Sequence, residues 1–280
     1  MSTGKKIYQL IEELWPINRS LTGNGNRTTL YKLKKINPKL KKFEVLSGKK
    51  VFDWQIPLEW NVKKAYLKDL VTKKIIVDFD NNNLHLMGYS RSVNKILNFS
   101  RLKKKLNFIK SLPDAIPYTT SYYNSDWAFN ISFNEFKKIN RKNNYLAFIK
   151  TELKKGSMSY GEILIKGKIK KEILISTYIC HPSMANNELS GPALSIYLSK
   201  WIAQKKDNKF TYRFLFIPET IGSINYISSK LKELKENVVG IINLTCVGDS
   251  KVTSFLPTKY ENTFFDKLLI NYFNKKNIKF

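Results

Sequence analysis

The sequence predicts an α/β protein in which helices cover both faces of a sheet, and two observations lead to this fold class. Short apolar segments at 172–177, 211–217 and 238–244 have the length of buried strands, and helical patterns at 190–204 and 221–234 lie between them. Apolar strands that alternate with helices are typical of a sheet with both faces packed. We therefore expect this part of the chain to build the sheet.

The N-terminal region is predicted to be helical. Apolar residues recur there at helical spacing, with Thr3 as a plausible cap: Ile7, Leu10, Ile11 and Leu14. Pro16 ends this helix, and a turn containing Gly23 and Gly25 leads into a second helix that runs to about Ile36. A Gly-rich turn before a helix can cradle an anion. A simple helix-to-helix turn explains the same residues.

The region that follows has a different pattern. Short apolar segments between 43 and 98 are separated by Gly, Pro, Asn or Lys, which is typical of strands. A short helix is predicted at 102–109. We expect residues 46–114 to form a small β-rich inserted domain, with 1–45 and 115–280 forming the α/β domain.

The chain is strongly basic. Its 280 residues include 49 Lys and Arg against 22 Asp and Glu, a formal charge of +27. A positive charge of this size, taken alone, would indicate nucleic acid or an anionic membrane as a partner. The lysines are spread along the whole chain, and the densest runs are interleaved with apolar residues, as on solvated helix faces. We therefore expect no specific nucleic-acid binding.

Apolar segments and cysteine spacing in the sequence predict where the protein is located and whether it forms disulfides. No run of about 18 apolar residues indicates a membrane span. The N-terminus shows no apolar stretch followed by a small-residue cleavage site, so we expect a cytoplasmic location. The two cysteines, Cys180 and Cys246, lack the spacing of a zinc knuckle or a disulfide framework.

Three polar residues follow the three predicted strands of the α/β region. His181 comes after 172–177, Glu219 after 211–217 and Asp249 after 238–244. Ligand sites in α/β sheets form at the carboxyl ends of strands. His181 suits metal ligation or acid–base work, and a carboxylate directly after an apolar strand is costly unless it is used or paired. An ordinary loop histidine, a helix N-terminal glutamate and a turn aspartate are the structural alternatives.

Together these segments resemble a known family. The chain is similar to bacterial aminopeptidase-like domain proteins, distant relatives of the zinc-dependent leucine aminopeptidases. The resemblance covers nearly the whole chain and includes Cys-His-Pro-Ser at 180–183, Pro-Glu-Thr-Ile-Gly-Ser at 218–223, Thr-Cys-Val-Gly-Asp at 245–249, and further segments at 14–23, 51–54, 83–85, 114–118 and 157–162.

The resemblance implies a metallohydrolase acting on peptide or related amide bonds. It implies one or two zinc ions, a bridging carboxylate and a glutamate general base, in which zinc lowers the pKa of its water and the glutamate takes the proton. On this interpretation the metal ligands fall at His181, Asn187, Glu219 and Asp249, and Glu219 is also the catalytic base. Family members often accompany surface-polysaccharide genes, so the substrate stays open.

This chain departs from the family pattern at the site itself. The usual His-Ile-Cys-His-Pro has Tyr178 at its first position, and the usual Asn-Asp-Asn is Asn186-Asn187-Glu188. The expected bridging aspartate is therefore a neutral Asn187, with Glu188 a possible substitute one residue out of phase.

The family continues for another hundred or so residues, and no histidine follows His181. We expect a truncated or degenerate member with an incomplete zinc site and impaired hydrolysis. The rival hypotheses are a catalytically inactive binding module and a basic nucleic-acid or membrane-surface protein.

Overall fold

The computed structural model describes residues 2–279. The main sheet has five strands, in the spatial order β1 (Lys41–Leu46), β10 (Ser157–Ile165), β12 (Thr211–Ile217), β11 (Glu172–Tyr178) and β13 (Val238–Asn243). Strands β12, β11 and β13 are parallel, whereas β1 and β10 add an antiparallel edge. The three strands predicted from the apolar segments are therefore the parallel part of the sheet.

A second sheet is built from antiparallel strands. Its spatial order is β5 (Ile75–Asp78), β4 (Glu59–Asp69), β9 (Asn144–Lys154) and β6 (Val93–Asn98). Two short pairs accompany the sheets: β2 (Lys50–Val51) with β3 (Trp54–Gln55), and β7 (Leu106–Asn107) with β8 (Phe129–Asn130). The boundaries of the β-rich domain at 46 and 114 stay a prediction, and the sheet also takes in β9 from further along the chain.

The helices are α1 (Thr3–Leu14), α2 (Asn24–Ile36), α3 (Phe99–Lys103), α4 (Phe133–Lys137), α5 (Ser190–Gln204), α6 (Ile221–Asn237) and α7 (Phe264–Lys275). The short helix predicted at 102–109 is wrong in extent, because the chain leaves α3 at Lys103 and Leu106 then pairs with Phe129 in β7 and β8. The cap of α1 is Ser2, whose hydroxyl accepts the Lys5 amide, and not the predicted Thr3.

The main sheet is packed on both faces, which confirms the predicted fold class. Along β12, Phe214 and Phe216 point into a core formed with α1, α2 and α5. The alternate residues Leu215 and Ile217 point into a second core shared with α6 and the β-rich sheet. This alternation is the period of two expected of a strand, here with apolar residues on both faces.

A buried ion cluster ties α6 to the sheet. The Arg213 guanidinium on β12 is 2% exposed and bonds to Glu172 at 2.7 Å, Glu162 at 3.0 Å and Glu233 of α6 at 2.5 Å. Removing one partner of a buried ion pair is strongly destabilising, because it leaves an uncompensated buried charge. The cluster therefore holds α6 against the sheet, and α6 begins two residues after Glu219.

Within residues 2–279, none of the helices is sufficiently long and apolar to cross a membrane.

Candidate functional site

The site lies where the parallel strands β11 and β12 end side by side. Tyr178 pairs in register with Ile217, so the segments that follow, beginning at Ile179 and Pro218, start at the same sheet edge. His181 and Glu219 are thereby brought into contact, with 3.3 Å between His181 Nε2 and Glu219 Oε2. Two residues that the sequence places 38 positions apart are thus in contact at this sheet edge, and we call the surface around this contact the cleft.

A glycine brings helix α5 close to this edge. Gly191, in the second position of α5, packs so tightly that an added Cβ would lie 2.4 Å from Thr177 Oγ1 and 2.6 Å from the Leu244 carbonyl oxygen. Both atoms belong to the ends of neighbouring strand segments and cannot move away cheaply. A side chain at 191 would therefore force a local shift at the start of α5, next to the π-helical turn Ala185–Leu189 that carries Glu188.

His181 is held from behind by a buried carboxylate. Its Nδ1–H donates to Glu188 Oε2 at 2.8 Å, and the Glu188 side chain is completely buried. The rings of Tyr118 and Tyr178 stand edge-on to the imidazole, with centroids 5.0 and 5.2 Å away. The ring is therefore fixed in one orientation that leaves Nε2 facing Glu219.

The charge of Glu188 is balanced by a buried arginine. Arg19 Nε lies 3.5 Å from Glu188 Oε1, and both side chains are inaccessible to solvent. Arg19 also donates to the carbonyl oxygens of His181 at 3.0 Å and Leu14 at 2.7 Å. Burial lowers the pKa of the Arg19 guanidinium, and the Glu188 charge acts in the opposite direction. A buried ion pair thus joins the α1–α2 connection to the loop of the site.

Cys180 joins the two loops through its sulfur. The Glu219 backbone N–H donates to Cys180 Sγ at 3.2 Å. Burial, followed by the charge of Glu188, raises the pKa of the Cys180 thiol well above its ordinary value. The sulfur is therefore a protonated, structural group and not a thiolate nucleophile.

The loops around the site hold strained backbone. Ser183, Thr220 and Cys246 have φ angles of +33°, +57° and +52°. Positive φ in residues other than glycine costs of order 1–3 kcal/mol each and is found at ligand clamps and active sites. Thr220 is the residue that separates Glu219 from α6, so the strain falls where the orientation of that carboxylate is set.

The structure places Asn187 against Tyr178. The Tyr178 hydroxyl donates to Asn187 Oδ1 at 3.2 Å and also bonds the Thr245 hydroxyl. Burial raises the pKa of Tyr178, so this hydroxyl stays protonated. The Tyr178 side chain therefore lies between Asn187 and His181, and the Asn187 Oδ1 atom already accepts a hydrogen bond from the Tyr178 hydroxyl.

Asp249 is exposed and turned toward its own loop. Its carboxylate accepts the Lys251 backbone N–H at 2.8 Å, as in a turn. The loop itself lies near the site, since the Gly248 N–H donates to Asn186 Oδ1 at 2.8 Å. None of the contacts found among residues 2–279 joins the Asp249 carboxylate to His181 or Glu219.

Within residues 2–279, the four predicted ligands do not complete the zinc site that the resemblance implies. A zinc site that activates water needs three protein ligands and an open position. His181 Nε2 and Glu219 Oε2 converge, but Asn187 is neutral and bonded to Tyr178, and Asp249 serves a turn. The four predicted ligands are therefore reduced to a convergent pair in the part of the chain that the structure describes.

A second group of side chains has the residue types of a metal site. Cys180, His181 and Glu188 have ligand atoms within 4.8 Å of one another, and no other such group occurs within residues 2–279. All three side chains are buried, and the two Glu188 carboxylate oxygens already face His181 and Arg19. The Arg19 charge at 3.5 Å from Glu188 would also repel a cation. This group does not fit a metal either.

Sequence reasoning missed Arg19 and Tyr118 as parts of the site. Both lie in segments that carry the family resemblance, 14–23 and 114–118, which was the available signal. Their roles are contacts over long sequence distances, and no spacing rule predicts such contacts. The second histidine, His85, is structural: its Nδ1 is 2.8 Å from the Asn130 carbonyl oxygen, and its side chain is buried in the β-rich part.

The sheet topology and the paired loops at the ends of β11 and β12 define an aminopeptidase-like fold. The zinc aminopeptidase BSAP from Bacillus subtilis has the same fold, with a TM-score of 0.59 at 12% identity over 98% of this chain and 78% of that chain. Likeness at this identity concerns the fold alone.

The chain belongs to the family described as a domain of unknown function, DUF4910, which matches residues 8–280. A relative from Clostridium acetobutylicum is provisionally named a polysaccharide biosynthesis protein with an aminopeptidase-like domain, and it is 45% identical over 267 residues. A crystal structure of a provisionally named peptidase from the same organism matches with a TM-score of 0.92 at 44% identity, over 96% of this chain and 62% of that one. The predicted family resemblance is confirmed.

The match to this curated relative includes 95% of the present chain but only 60% of the relative, so the chain spans less than two thirds of the relative's length.

Proposed function

We propose that this chain is a binding module with the aminopeptidase fold, in which the cleft between His181 and Glu219 takes a peptide-like or amide ligand and zinc hydrolysis is impaired. The observation that carries the proposal is the hydrogen bond between Tyr178 and Asn187. These are two of the positions at which the chain departs from the family pattern. A pair that would supply an imidazole and a carboxylate to a metal instead supplies a phenol and an amide bonded to each other.

A third departure supports the same function. Glu188 replaces the usual asparagine, and its carboxylate is buried against Arg19 and His181 instead of facing the cleft. The negative charge lost at Asn187 thus reappears one residue later, where it stabilises the loop. The three substitutions together retain the shape of the cleft without retaining its ligand set.

The chemistry of the cleft favours a ligand that donates hydrogen bonds. Glu219 is the half-exposed carboxylate at its mouth, with 54% of the side chain accessible. An amine or amide N–H can be accepted there, because an accessible carboxylate only accepts when ionised. Peptide-like or amide molecules present such groups. The polysaccharide biosynthesis named for the C. acetobutylicum relative is the biological setting that we propose for this chain as well.

Zinc-dependent amide hydrolysis is the second candidate. The approach of His181 Nε2 and Glu219 Oε2 to 3.3 Å favours it, since two ligands of one ion would lie at such a separation. The neutral Asn187 and the turned-away Asp249 count against it.

One experiment separates the two candidates. The purified chain is loaded with zinc, excess metal is removed by dialysis, and bound zinc and turnover of short peptides are measured in parallel with peptide binding by calorimetry. We expect far less than one zinc per chain, no turnover, and peptide binding that Glu219→Gln weakens. Stoichiometric zinc with turnover abolished by Glu219→Gln would replace the binding module by the hydrolase. Absence of any peptide or amide binding would remove the binding function.

A further inference from the structure

We propose that a tyrosine-lined cavity beside the cleft binds a neutral saccharide. The cavity has a volume of about 270 Å³ and is bordered by the loop after Thr120, the β2–β3 hairpin and the segment that leads into β4. The residues that line it are Gly48, Gln55, Ile56, Pro57, Leu58, Tyr89, Tyr122, Tyr123, Asn124, Ser125 and Leu153. Ligand pockets for drug-sized molecules range over about 300–1,000 Å³, so this space suits one ring of a small ligand. We call it the tyrosine cavity.

The lining of the tyrosine cavity carries no charge. Its 11 residues include no Lys, Arg, Asp or Glu, although the chain as a whole has 49 Lys and Arg and a formal charge of +27. A cavity for a phosphate, a carboxylate or a uronic acid would gain from cationic side chains, which are abundant nearby in sequence. The neutral lining therefore favours a neutral ligand.

The walls combine aromatic rings with aliphatic side chains. Tyr89, Tyr122 and Tyr123 provide the rings, and Tyr89 is backed by Trp60, stacked at 5.5 Å between centroids. Leu58 and Leu153 contribute aliphatic surface. The C–H faces of a pyranose ring are apolar and pack against aromatic rings, whereas its hydroxyl edge requires hydrogen-bonding groups.

Unused hydrogen-bonding groups lie in the same lining. Within residues 2–279, no partner is found for the side chains of Asn124 and Ser125, and the Gln55 side chain uses only its Nε2, which donates to the Gly48 carbonyl oxygen at 3.0 Å. An amide, a hydroxyl and an amide oxygen are therefore available at the edge of an apolar wall. A few polar groups on a mostly apolar lining are how small-molecule sites fix the orientation of a ligand.

The loop that carries these groups is held in place by the rest of the protein. The Tyr123 hydroxyl donates to the Gln55 carbonyl oxygen at 2.9 Å, and the Ser121 N–H donates to the Gly88 carbonyl oxygen at 3.0 Å. Tyr89 and Tyr122 both have positive φ, +62° and +39°, which is unusual for bulky residues. The backbone strain thus lies at two residues whose rings line the cavity, and such strain is found at ligand sites.

Two tyrosines in contact lie between the tyrosine cavity and His181. Tyr122 Oη is 3.2 Å from Tyr118 Oη, and the Tyr118 ring stands edge-on to His181. The proposal does not rest on the function of the cleft, because the cavity groups differ from those that contact His181 and Glu219.

The test uses the purified chain and three neutral tetrasaccharides, of α-linked glucose, β-linked glucose and N-acetylglucosamine, with tetragalacturonate as the anionic comparator. Saturation-transfer NMR and calorimetry are run at about 0.05 and 0.2 M salt, because charge attraction weakens over that range. We expect at least one neutral tetrasaccharide to bind with an affinity that does not change with salt. Binding of tetragalacturonate should fall steeply over the same range.

Two exposed rim variants locate the binding. Tyr123→Ala and Asn124→Ala should each weaken the neutral sugar by about tenfold, whereas Tyr8→Ala, at a 63% exposed tyrosine of α1, should leave it unchanged. Thermal unfolding of each variant checks that the fold is retained. The proposal is overturned if none of the neutral sugars binds at about 10 mM, or if binding survives both rim variants unchanged. Salt-resistant preference for tetragalacturonate would overturn it too.

Discussion

The Tyr178 hydroxyl donates a hydrogen bond to Asn187 Oδ1, 3.2 Å away, at the end of β11. Each residue alone would weaken a metal site, since a phenol replaces an imidazole and an amide replaces a carboxylate. Because they are bonded to each other, and Tyr178 also to Thr245, they form a polar contact that needs no cation. The two positions at which we expect the chain to depart from the family pattern are thus in direct contact.

Restoring the family pattern should restore zinc affinity. In Tyr178→His/Asn187→Asp the imidazole and carboxylate return beside His181 and Glu219, and we expect zinc to bind at least about tenfold more tightly than to the original chain. Tyr178→Phe is the matched control, because it breaks the hydrogen bond without adding a ligand. Competition with a zinc indicator gives the affinities. Equal zinc binding in the original chain and the double variant would show that these positions do not limit the metal site.

The sequence was a good guide to the elements that build the sheet. The predicted segments 190–204 and 211–217 coincide with α5 and β12, because continuous apolar runs and a long helical pattern leave few alternatives. The short helix at 102–109 failed because the pairing of Leu106 with Phe129 overrides local propensity.

The contact between His181 and Glu219 could be expected from the rule that strand ends gather the site. The partnership of Arg19 with Glu188 could not. It depends on how the α1–α2 connection packs against a loop far along the chain, and nothing local to either residue encodes that distance.

Removing the buried arginine of β12 should strongly destabilise the protein. Arg213→Met leaves the carboxylates of Glu162, Glu172 and Glu233 without their shared cation, and breaking a buried pair costs about 3–5 kcal/mol. Urea unfolding measures the loss. Lys168→Met, in an exposed pair with Asp207, is the control and should change the free energy of unfolding by less than about 1 kcal/mol. Similar effects of both variants would contradict the role of the cluster.

Acid should weaken the junction between the two sheets. Arg27 donates two hydrogen bonds to Glu59 and lowers the pKa of that carboxyl from its usual 4.5 to about 2. Since the pKa is lower in the folded protein, the stabilisation is complete above about pH 4.5 and disappears as the pH falls toward 2.

Glu59→Gln should reduce stability at neutral pH and flatten its dependence on pH in this window, by a slope of at most about 1.4 kcal/mol per pH unit. Glu12→Gln, at an exposed position of α1, is the control and should leave the dependence unchanged. Unfolding in urea at a series of pH values gives the comparison. Parallel profiles for the original chain and Glu59→Gln would show that this pair does not report on acid stability.

The charge of +27 should produce only weak, non-selective attraction to nucleic acid. The lysines are distributed over the whole chain, and the screening length shortens to about 8 Å at physiological ionic strength, so scattered charges cease to act together. Two DNA duplexes of unrelated sequence should bind with equal affinity at about 0.05 M salt and be released by about 0.2 M, because each phosphate contact is lost with its counterions. Fluorescence anisotropy measures both. A preference for one duplex that persists at the higher salt would mean that a specific nucleic-acid surface exists on this protein.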